Sequence, residues 1–469
     1  MAGTFIIGEQ KVRPGSYFNI GKNGGNAAAD VINGVTAVVF KADFGPINKA
    51  VELSAEDGYA SVYGTALTTD AIQQAINGGA KTIIACRVGN GGSEASISLN
   101  DKEGNEAVHI SARYPGDKEF SVTIRQKITD DKVKQAVFYT GTKEFEKVEF
   151  ASGAGEAEAF ADAMKSSNNF IVSIAEGKEQ SELSNVLQCA FTKGENPTVT
   201  AEDYSNAFAE IEPFEFNTIC LDTEDPAIHL LLHAFVNRIF DSGSLVQAVI
   251  AEKRSVDLET RQAHAASFND EKMNYVLNAN VSEQDSEIDG YQTAARIAGM
   301  IAACSSNKSL THTVVTGFNE TLERLTNTQI IKAEQRGCIV LTMNSKKQVW
   351  IDSAINTLIT PSDEKDDGWK KIRRVKTRFE LIRRINITTD NLIGKVDNDQ
   401  NGRATIISQV KDVGIAMVDE GKLISCNVTE SELYKSDADS AWFCIDVIDK
   451  DSAEHIYTMF KFQFSTNEE

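Results

Sequence analysis

The sequence predicts a multi-domain α/β protein with a three-layer α/β core, a β-rich insertion in that core, a C-terminal α+β domain and extended terminal arms. Buried-type strands alternate with helices over residues 29–93 and again over 200–327, an order that gives parallel strands covered by helices. Between these two parts, residues 94–199 hold short β-rich runs instead. The chain of 469 residues has room for roughly two to four domains.

Residues 1–28 are predicted to form an N-terminal arm outside the core. Two short apolar runs, Thr4–Ile7 and Ser16–Ile20, fit strands, and the turn signal Arg13–Gly15 lies between them. Neither run has an obvious partner nearby in the sequence. A tethered strand without a partner is suited to joining a sheet in another chain, and simple terminal disorder is the alternative.

The core is predicted in two parts. In the first part, the strands Gly34–Phe40 and Lys81–Val88 flank the helix Thr69–Asn77, which a glycine pair ends. In the second part, Asp225–Pro226 marks a helix start because proline is tolerated in the first turn. The elements predicted there are the strands Phe216–Leu221, Ser244–Ala251 and Met273–Val281 and the helices 225–240, Asp257–Ser267 and Tyr291–Cys304.

The insertion is predicted to be an antiparallel module, because turn or charged residues separate its strands at nearly regular spacing. Its predicted elements are the strands Ser96–Leu99, Ala107–Arg113, Phe120–Lys127, Gln135–Thr140, Lys143–Phe150 and Phe170–Ala175 and the helix Glu156–Lys165.

The C-terminal domain is predicted over residues 328–469, with a helix, a hairpin-like pair, two further helices and three strands. The last strand runs almost to the end of the chain and is interpreted as a second arm. These elements are Thr328–Arg336, Cys338–Met343, Gln348–Asp352, Trp369–Arg384, Gly402–Val418, Leu423–Val428, Ala441–Val447 and His455–Phe464.

The helix Trp369–Arg384 is the strongest single feature of the sequence. Ile372, Val375, Phe379 and Ile382 recur at helical spacing and predict a narrow apolar stripe. The remaining surface is cationic: eight Lys/Arg against one acid give a local charge of +7 in a chain of net charge −21. The eight are Lys370, Lys371, Arg373, Arg374, Lys376, Arg378, Arg383 and Arg384.

Nucleic acid, an anionic membrane or an acidic protein surface would each suit such a helix. A solvated face with salt bridges to the acidic remainder of the chain is the simpler alternative. The chain-wide negative charge disfavours general binding of nucleic acid, so an acidic protein partner is the favoured interpretation. No signal peptide and no run of transmembrane length is found in the sequence, and seven scattered cysteines without a CxxC pair indicate folding in a reducing cytoplasm.

The sequence contains no complete motif for catalysis, for a cofactor or for a metal site. Neither phosphate-binding glycine motif occurs, and no G-x-S-x-G is present. His229 and His233 share a predicted helix, but a zinc hydrolase would need a glutamate between them. The loop Asp397–Gly402 begins like a calcium loop, yet Ser408 stands where a bidentate glutamate is required. Helix capping is the alternative for that loop.

Several segments resemble the contractile tail sheath proteins of myovirus-type phages and phage-tail-like bacteriocins, in particular those of the Gram-positive type. The similarity spans most of the chain and is most specific in the C-terminal third. The matching segments are Lys11–Tyr17, Ala112–Gly116, Trp350–Asp352, Trp369, Lys370, Ile372, Arg373, Ile393–Val396 and Asn401–Arg403.

The resemblance implies a structural polymer, not an enzyme, with a sheath-type C-terminal domain and no cofactor. Subunits would stack in rings around an inner tail tube, contact baseplate and tail terminator proteins, and contract to drive the tube through the bacterial envelope. The partners would not include nucleic acid, and the chain would not insert into a membrane. Assembly would take place in the host cytoplasm, and the product would be a virion or a bacteriocin particle.

The same resemblance implies that both termini reach into neighbouring subunits, while the cationic helix faces the tube or a neighbour. The N-terminal contact residues are expected to be Thr4, Phe5, Ile6, Ile7, Arg13, Pro14, Gly15 and Tyr17. The C-terminal ones are expected to be Ile456, Tyr457, Met459, Phe460, Phe462 and Phe464. Two alternatives stay open: an α/β enzyme or nucleotide-binding protein without a recognisable motif, and a DNA-binding protein that uses the cationic helix.

Overall fold

The structure is a computed structural model that describes residues 2–4, 16–18, 32–282 and 286–462, the first two stretches by their backbone alone. Up to the insertion, two short strands precede the first part of the core. The elements are β1 (Ala2–Thr4), β2 (Ser16–Phe18), β3 (Val35–Phe40), β4 (Ala50–Ser54), α1 (Ala60–Tyr63), a 3₁₀ turn (Leu67–Thr69), α2 (Asp70–Asn77) and β5 (Thr82–Arg87).

The next stretch is almost entirely β-structure. Its elements are β6 (Ser96–Asn100), β7 (Glu106–Ala112), β8 (Ser121–Lys127), β9 (Asp130–Thr140), β10 (Lys143–Ala151), α3 (Glu156–Met164), β11 (Phe170–Ile174) and β12 (Val186–Ala190).

Helices and strands then alternate until the core is complete. The elements are α4 (Ala201–Ile211), β13 (Thr218–Leu221), α5 (Pro226–Asp241), β14 (Gln247–Ala251), α6 (Leu258–Phe268), β15 (Met273–Val276), β16 (Asn280–Ser282), β17 (Glu287–Ile288), α7 (Gly290–Ala303), β18 (Phe318–Thr321), α8 (Asn327–Gln335) and β19 (Cys338–Ile339).

The remainder is a mixed α and β region. Its elements are β20 (Leu341–Met343), β21 (Val349–Ile351), a 3₁₀ turn (Asp367–Lys370), α9 (Ile372–Asp390), α10 (Gln400–Asp419), β22 (Leu423–Glu430) and β23 (Phe443–Asp449). The mixed α/β class predicted from the sequence is confirmed.

The central sheet has seven strands in the order β19-β15-β14-β13-β3-β5-β4, all parallel except the edge strand β4. Side chains of β3 alternate between two cores: Val38 and Phe40 pack with α2 and α7, and Ala37 and Val39 pack with α4 and α5. A strand covered on both faces needs apolar residues at successive positions, which explains the continuous run VTAVVF.

The sheet also takes a strand from beyond the predicted core. Gly337, at φ 77°, ends α8 with a left-handed residue, and the chain turns directly into β19, which pairs with β15. Cys338–Met343 was predicted as one strand of a hairpin. In the structure only Leu341–Met343 forms that hairpin, with β21, while the first residues of the run complete the central sheet.

The sequence did not predict the short elements β4, α1, β17 and β18, and it also missed α4 and β12, these two for different reasons. The helix α4 carries a clear signal, a capping box between Thr200 and Asp203 followed by apolar residues at helical spacing. The edge strand β12 has a bulge at Gln188, whose φ is 45°. A bulge disturbs the period-2 pattern by which strands are recognised.

The insertion folds as two antiparallel sheets, β10-β9-β8-β12 and β11-β7-β6, around an aromatic core. Phe138 stacks on Phe170 with ring centroids 4.3 Å apart, and Phe120 meets the same ring edge-on at 5.1 Å. Such aromatic packing stabilises a small core beyond simple burial.

Arg87, at the end of β5, joins the insertion to the central sheet. Its side chain is fully buried and donates to the carbonyls of Ala42 (2.7 Å) and Gly45 (2.7 Å) in the core and of Pro115 (2.9 Å) in the insertion. Burial lowers the pKa of Arg87 to about 10. Gly116 is required beside it, because a Cβ there would lie 1.9 Å from the carbonyl oxygen of Asp43.

No helix among the described residues combines the length and the apolar character needed to cross a membrane.

Replacing Arg87 with Ala should lower the free energy of unfolding by about 3–5 kcal/mol, because three buried carbonyls lose their donor and a cavity forms. Chemical denaturation of the full chain measures the change. Arg125→Ala is the control, since Arg125 is exposed and such surface changes stay within about 0.5 kcal/mol. Equal effects of the two substitutions would contradict the assigned role of Arg87.

Candidate assembly site

The cationic helix predicted from the sequence is α9, and its apolar stripe is buried as expected. Val375 and Phe379 pack with Trp369, Leu245 and Leu358 in a small core of their own. Ile372 belongs instead to the core on the α7 face of the central sheet. The helix therefore lies against the α/β core and does not project from it.

Two cations of α9 bind main-chain carbonyls of the core. Lys376 donates from Nζ to the carbonyl of Cys304 and to others at the C-terminal end of α7, where a helix dipole favours positive charge. Arg383 donates to the carbonyls of Phe216 (3.0 Å) and Leu245, which precede β13 and β14. Burial lowers the pKa of Lys376 to about 8 and that of Arg383 to about 10.

Three further cations bind acidic residues that follow or end β23. Arg374 and Arg378 each place Nε 2.9 Å from Oδ2 of Asp449, and Lys371 lies 2.8 Å from Asp451. Burial alone would raise the pKa of Asp449, but the hydrogen bond from Arg374 and the charge of Arg378 hold it below its ordinary value. Charge-assisted pairs of this kind are among the stronger hydrogen bonds in proteins.

At the other end of the basic run, Arg384 pairs with Glu420 at 2.8 Å and with Glu380 at 2.6 Å. Lys422, which precedes β22, also pairs with Glu380 at 2.6 Å. Burial would raise the pKa of Glu380, and the hydrogen bonds from Lys422 and Ser306 lower it below its ordinary value. This network ties α9 to the end of α10.

The expected exposed cationic surface is therefore corrected. Seven of the eight cations contact groups of their own chain, and the eighth, Arg373, is buried. The seven are Lys370, which pairs with Asp367, and Lys371, Arg374, Lys376, Arg378, Arg383 and Arg384. The sequence could count these charges but could not place their partners within the chain. The assignment of these eight residues to a surface that faces the tube or a neighbouring subunit stays a prediction.

The C-terminal segment differs from the predicted strand. Residues 455–462 have no regular secondary structure, and Phe464 lies outside the described residues. Five large apolar side chains of this segment are between 76% and 92% exposed: Ile456, Tyr457, Met459, Phe460 and Phe462. A strand needs a neighbour to hydrogen-bond, and the described part of the chain places none beside this segment.

At the other terminus, the structure shows a short parallel pair of strands, Ala2–Ser16 to Thr4–Phe18 in register. The predicted arm residues Thr4 and Tyr17 lie in this pair. Of the others expected to contact a neighbour, Phe5, Ile6, Ile7, Arg13, Pro14 and Gly15 lie outside the described residues. The assignment of these residues to contacts between subunits stays a prediction.

A two-stranded sheet lies close to both α10 and the C-terminal segment. Strands β22 and β23 pair antiparallel, and Leu423 packs with Val413 and Met417 of α10. Within the described residues, neither strand has a second neighbour. Each outer edge therefore offers unpaired backbone groups to an added strand.

The other candidate sites have structural roles. His229 is buried and bonds the carbonyl of Thr223 at 3.1 Å, and burial lowers its pKa to about 4. His233 pairs with Asp270 at 2.9 Å. In the loop 397–402, Asp399 caps α10 by accepting from the amide of Gly402 at 2.7 Å. No group of metal-binding side chains is found in the described ranges.

The acidic partners of α9 were missed from the sequence. Asp449, Asp451 and Glu454 fall within six residues, in DVIDKDSAEH. This cluster is acidic and α9 is basic, and the two runs lie in the same predicted domain. The opposite charges of these two runs were the signal from which their pairing could have been predicted.

Comparison with known proteins finds similarity to one family and to several solved structures. Residues 198–357 match the family described as the phage tail sheath protein central domain. The phage-like element PBSX protein XkdK of Bacillus subtilis (strain 168) is 23% identical over 477 residues, covering 97% of this chain and 98% of the relative.

Solved structures agree in fold. The sheath tail protein of Desulfitobacterium hafniense superposes with a TM-score of 0.70 at 20% identity, over 93% of this chain and all of that one. The helical sheath of the anti-feeding prophage in its contracted state gives 0.53 at 11% identity, over 97% and 99% of the two chains. These comparisons confirm the resemblance to tail sheath proteins.

Lys376 should make stability depend on pH. Because its pKa falls from 10.5 to about 8 on folding, the unfolded chain binds more protons between these values, and stability rises with pH across that window. Measured against Lys376→Met, the free energy of unfolding of the wild type should rise by roughly 2–3 kcal/mol between pH 7.5 and pH 10. Denaturant unfolding at both pH values measures this difference.

The matched control is Lys395→Met, which replaces an exposed lysine in the α9–α10 turn. The difference in free energy of unfolding between the wild type and this control should be the same at both pH values. A wild-type advantage over Lys376→Met that stays constant with pH would contradict the enclosed position of this ammonium group.

Proposed function

We propose that this chain, with its sheath central domain and sheath fold, is a structural subunit of a contractile tail sheath that polymerises around an inner tail tube. Contraction of the assembly drives the tube through the bacterial envelope. The observation that carries the proposal is the match of residues 198–357 to the sheath central domain, within a sheath fold that spans 93% of the chain. No enzymatic step is part of this function.

The exposed C-terminal segment supports assembly from copies of the same chain. Fully burying a large apolar side chain stabilises by about 1.5–3 kcal/mol, and five such side chains stand exposed within seven residues. Phe460 and Phe462 lie two residues apart with nearly parallel rings, 14° from coplanar, as on one face of an extended chain. Addition of this segment to the free edge of β22 or β23 in a second copy would bury these apolar side chains and give the extended segment a strand to hydrogen-bond.

The predicted domain division is proposed with the function: an arm at 1–28, core parts at 29–93 and 200–327, an insertion at 94–199 and a sheath domain at 328–469. The insertion boundaries are supported by bridges that bring its two ends together, Asn90 to Thr198 and Ser93 to Glu195. Strand β19 follows the boundary between residues 327 and 328 but belongs to the core, because residues 338–339 lie in the central sheet.

Besides other copies of itself, the partners proposed are the inner tail tube protein and the baseplate and tail terminator proteins. The complete particle is a virion or a bacteriocin, assembled in the host cytoplasm. The seven free cysteines fit folding in a reducing compartment. Work is done by free energy stored when the sheath assembles, with no nucleotide consumed.

Substituting Phe460 and Phe462 together with Asp should block assembly and leave the folded subunit intact, because both side chains are more than 75% exposed in the free chain. Purified wild type should form rings or tubes in negative-stain micrographs at some salt concentration. The double variant should remain as single subunits with an unchanged melting temperature.

Leu433→Asp is the control, since Leu433 is 86% exposed in the loop between β22 and β23 and the substitution adds a negative charge outside the terminal segments. It should assemble as the wild type does. Normal rings or tubes from the Phe460→Asp/Phe462→Asp chain would overturn the role assigned to the C-terminal segment.

A further inference from the structure

The segment that leads into the exposed C-terminal residues is held by ion pairs on α9. Asp449, the last residue of β23, lies between Arg374 and Arg378, and each guanidinium donates to its carboxylate. Only 7% of the Asp449 side chain is exposed. Arg378 also stacks over the ring of Trp369 at 4.5 Å, so packing fixes its position as well.

A second set of contacts follows two to five residues later in the chain. Lys371 bridges Asp451 at 2.8 Å and Glu454 at 3.2 Å. Glu454 accepts further hydrogen bonds from Ser309 at 3.0 Å and Thr311 at 3.3 Å, in the loop between α7 and β18. The segment is thus attached to α9 and to the core at once.

The change from attachment to exposure is abrupt. The side chain of Glu454 is 14% exposed, whereas Ile456 is 77% and Tyr457 is 92% exposed. Asp449, Asp451 and Glu454 therefore end the part of the chain that is bound to its own subunit. Residues 455–462 are the part that is available to another.

We propose that the cationic face of α9 is a mooring site for the acidic segment 449–454, and that it carries the load when a second copy holds residues 455–462. This inference rests on the proposed function, since the load arises between assembled copies. The point of bending then lies at His455. The mooring residues are Lys371, Arg374 and Arg378 on α9 and Asp449, Asp451 and Glu454 on the segment.

The geometry suits this role better than a strand pair alone does. A pull on residue 455 acts on β23 from its end, and the hydrogen bonds between β22 and β23 would otherwise take the whole load. Arginine forks give charge-assisted bonds of fixed direction. They deliver the pull to α9, which Lys376 and Arg383 bind to the core.

The free subunit gives the first test. Asp451→Asn/Glu454→Gln removes two acids of the segment, and Glu52→Gln/Glu56→Gln removes two exposed acids of the core for comparison. Hydrogen exchange of the Lys450 amide, which donates to the carbonyl of Lys422 at 3.0 Å, should be at least tenfold faster in the first variant and unchanged in the second. Unchanged exchange in both variants would overturn the mooring site.

A charge exchange separates the ion pair from general destabilisation. Lys371→Glu should also speed exchange of the Lys450 amide, and Lys371→Glu/Asp451→Lys should slow it again toward the wild-type rate. Failure of the double variant to slow the exchange, with the melting temperature retained, would count against a specific pair between these two positions.

The load itself is tested on assembled tubes. Asp451→Asn/Glu454→Gln should form tubes that break into short pieces on contraction or centrifugation several times more often than wild-type tubes do. Equal breakage would overturn the load-bearing role, even where exchange shows the segment released. If the wild type forms no tubes at all, the proposed function fails, while the exchange result still decides the mooring site.

Discussion

The C-terminal third of this protein depends on neutralising one helix within its own chain. Eight Lys/Arg lie in or beside α9, and charge of that density cannot be packed against a core without partners. The chain supplies carbonyls at the end of α7 and before two core strands, and carboxylates at the ends of β23 and α10. The removal of one partner leaves the other charge desolvated, so these contacts hold the two-stranded sheet, α9 and α10 in one arrangement against the core.

That arrangement fixes the point at which the exposed C-terminal residues leave the surface of the subunit. The segment is held through Glu454 and is free beyond it, so its apolar side chains are presented at a fixed place instead of being buried in their own subunit. The net charge of −21 opposes close approach of free subunits through long-range repulsion. In the proposed assembly, a strong local contact between an apolar strand and an open sheet edge then decides whether copies associate.

Much of the fold was predictable because periodicity is local. The strands of the insertion and the helices on the sheet were found from spacing 2 and spacing 3.6, and the sheath resemblance was found from short matching segments. The misses have physical causes. A bulge hid β12, and only pairing with the distant β15 separates β19 from the hairpin that follows it. The C-terminal run of alternating apolar residues has strand character but, in the described chain, no strand beside it.

The class of fold, the apolar stripe of α9, the absence of recognisable catalytic motifs and the family resemblance follow from residue order over short distances, so they can be read from the sequence alone. The role of the positive charge of α9 becomes visible only in the folded chain. A charge sum is the same whether a helix faces solvent, another protein or its own chain. The difference lies in where Asp449, Asp451 and Glu454 are brought, some 70 to 80 residues away along the chain, and such distant pairings are set by the packing of the whole domain.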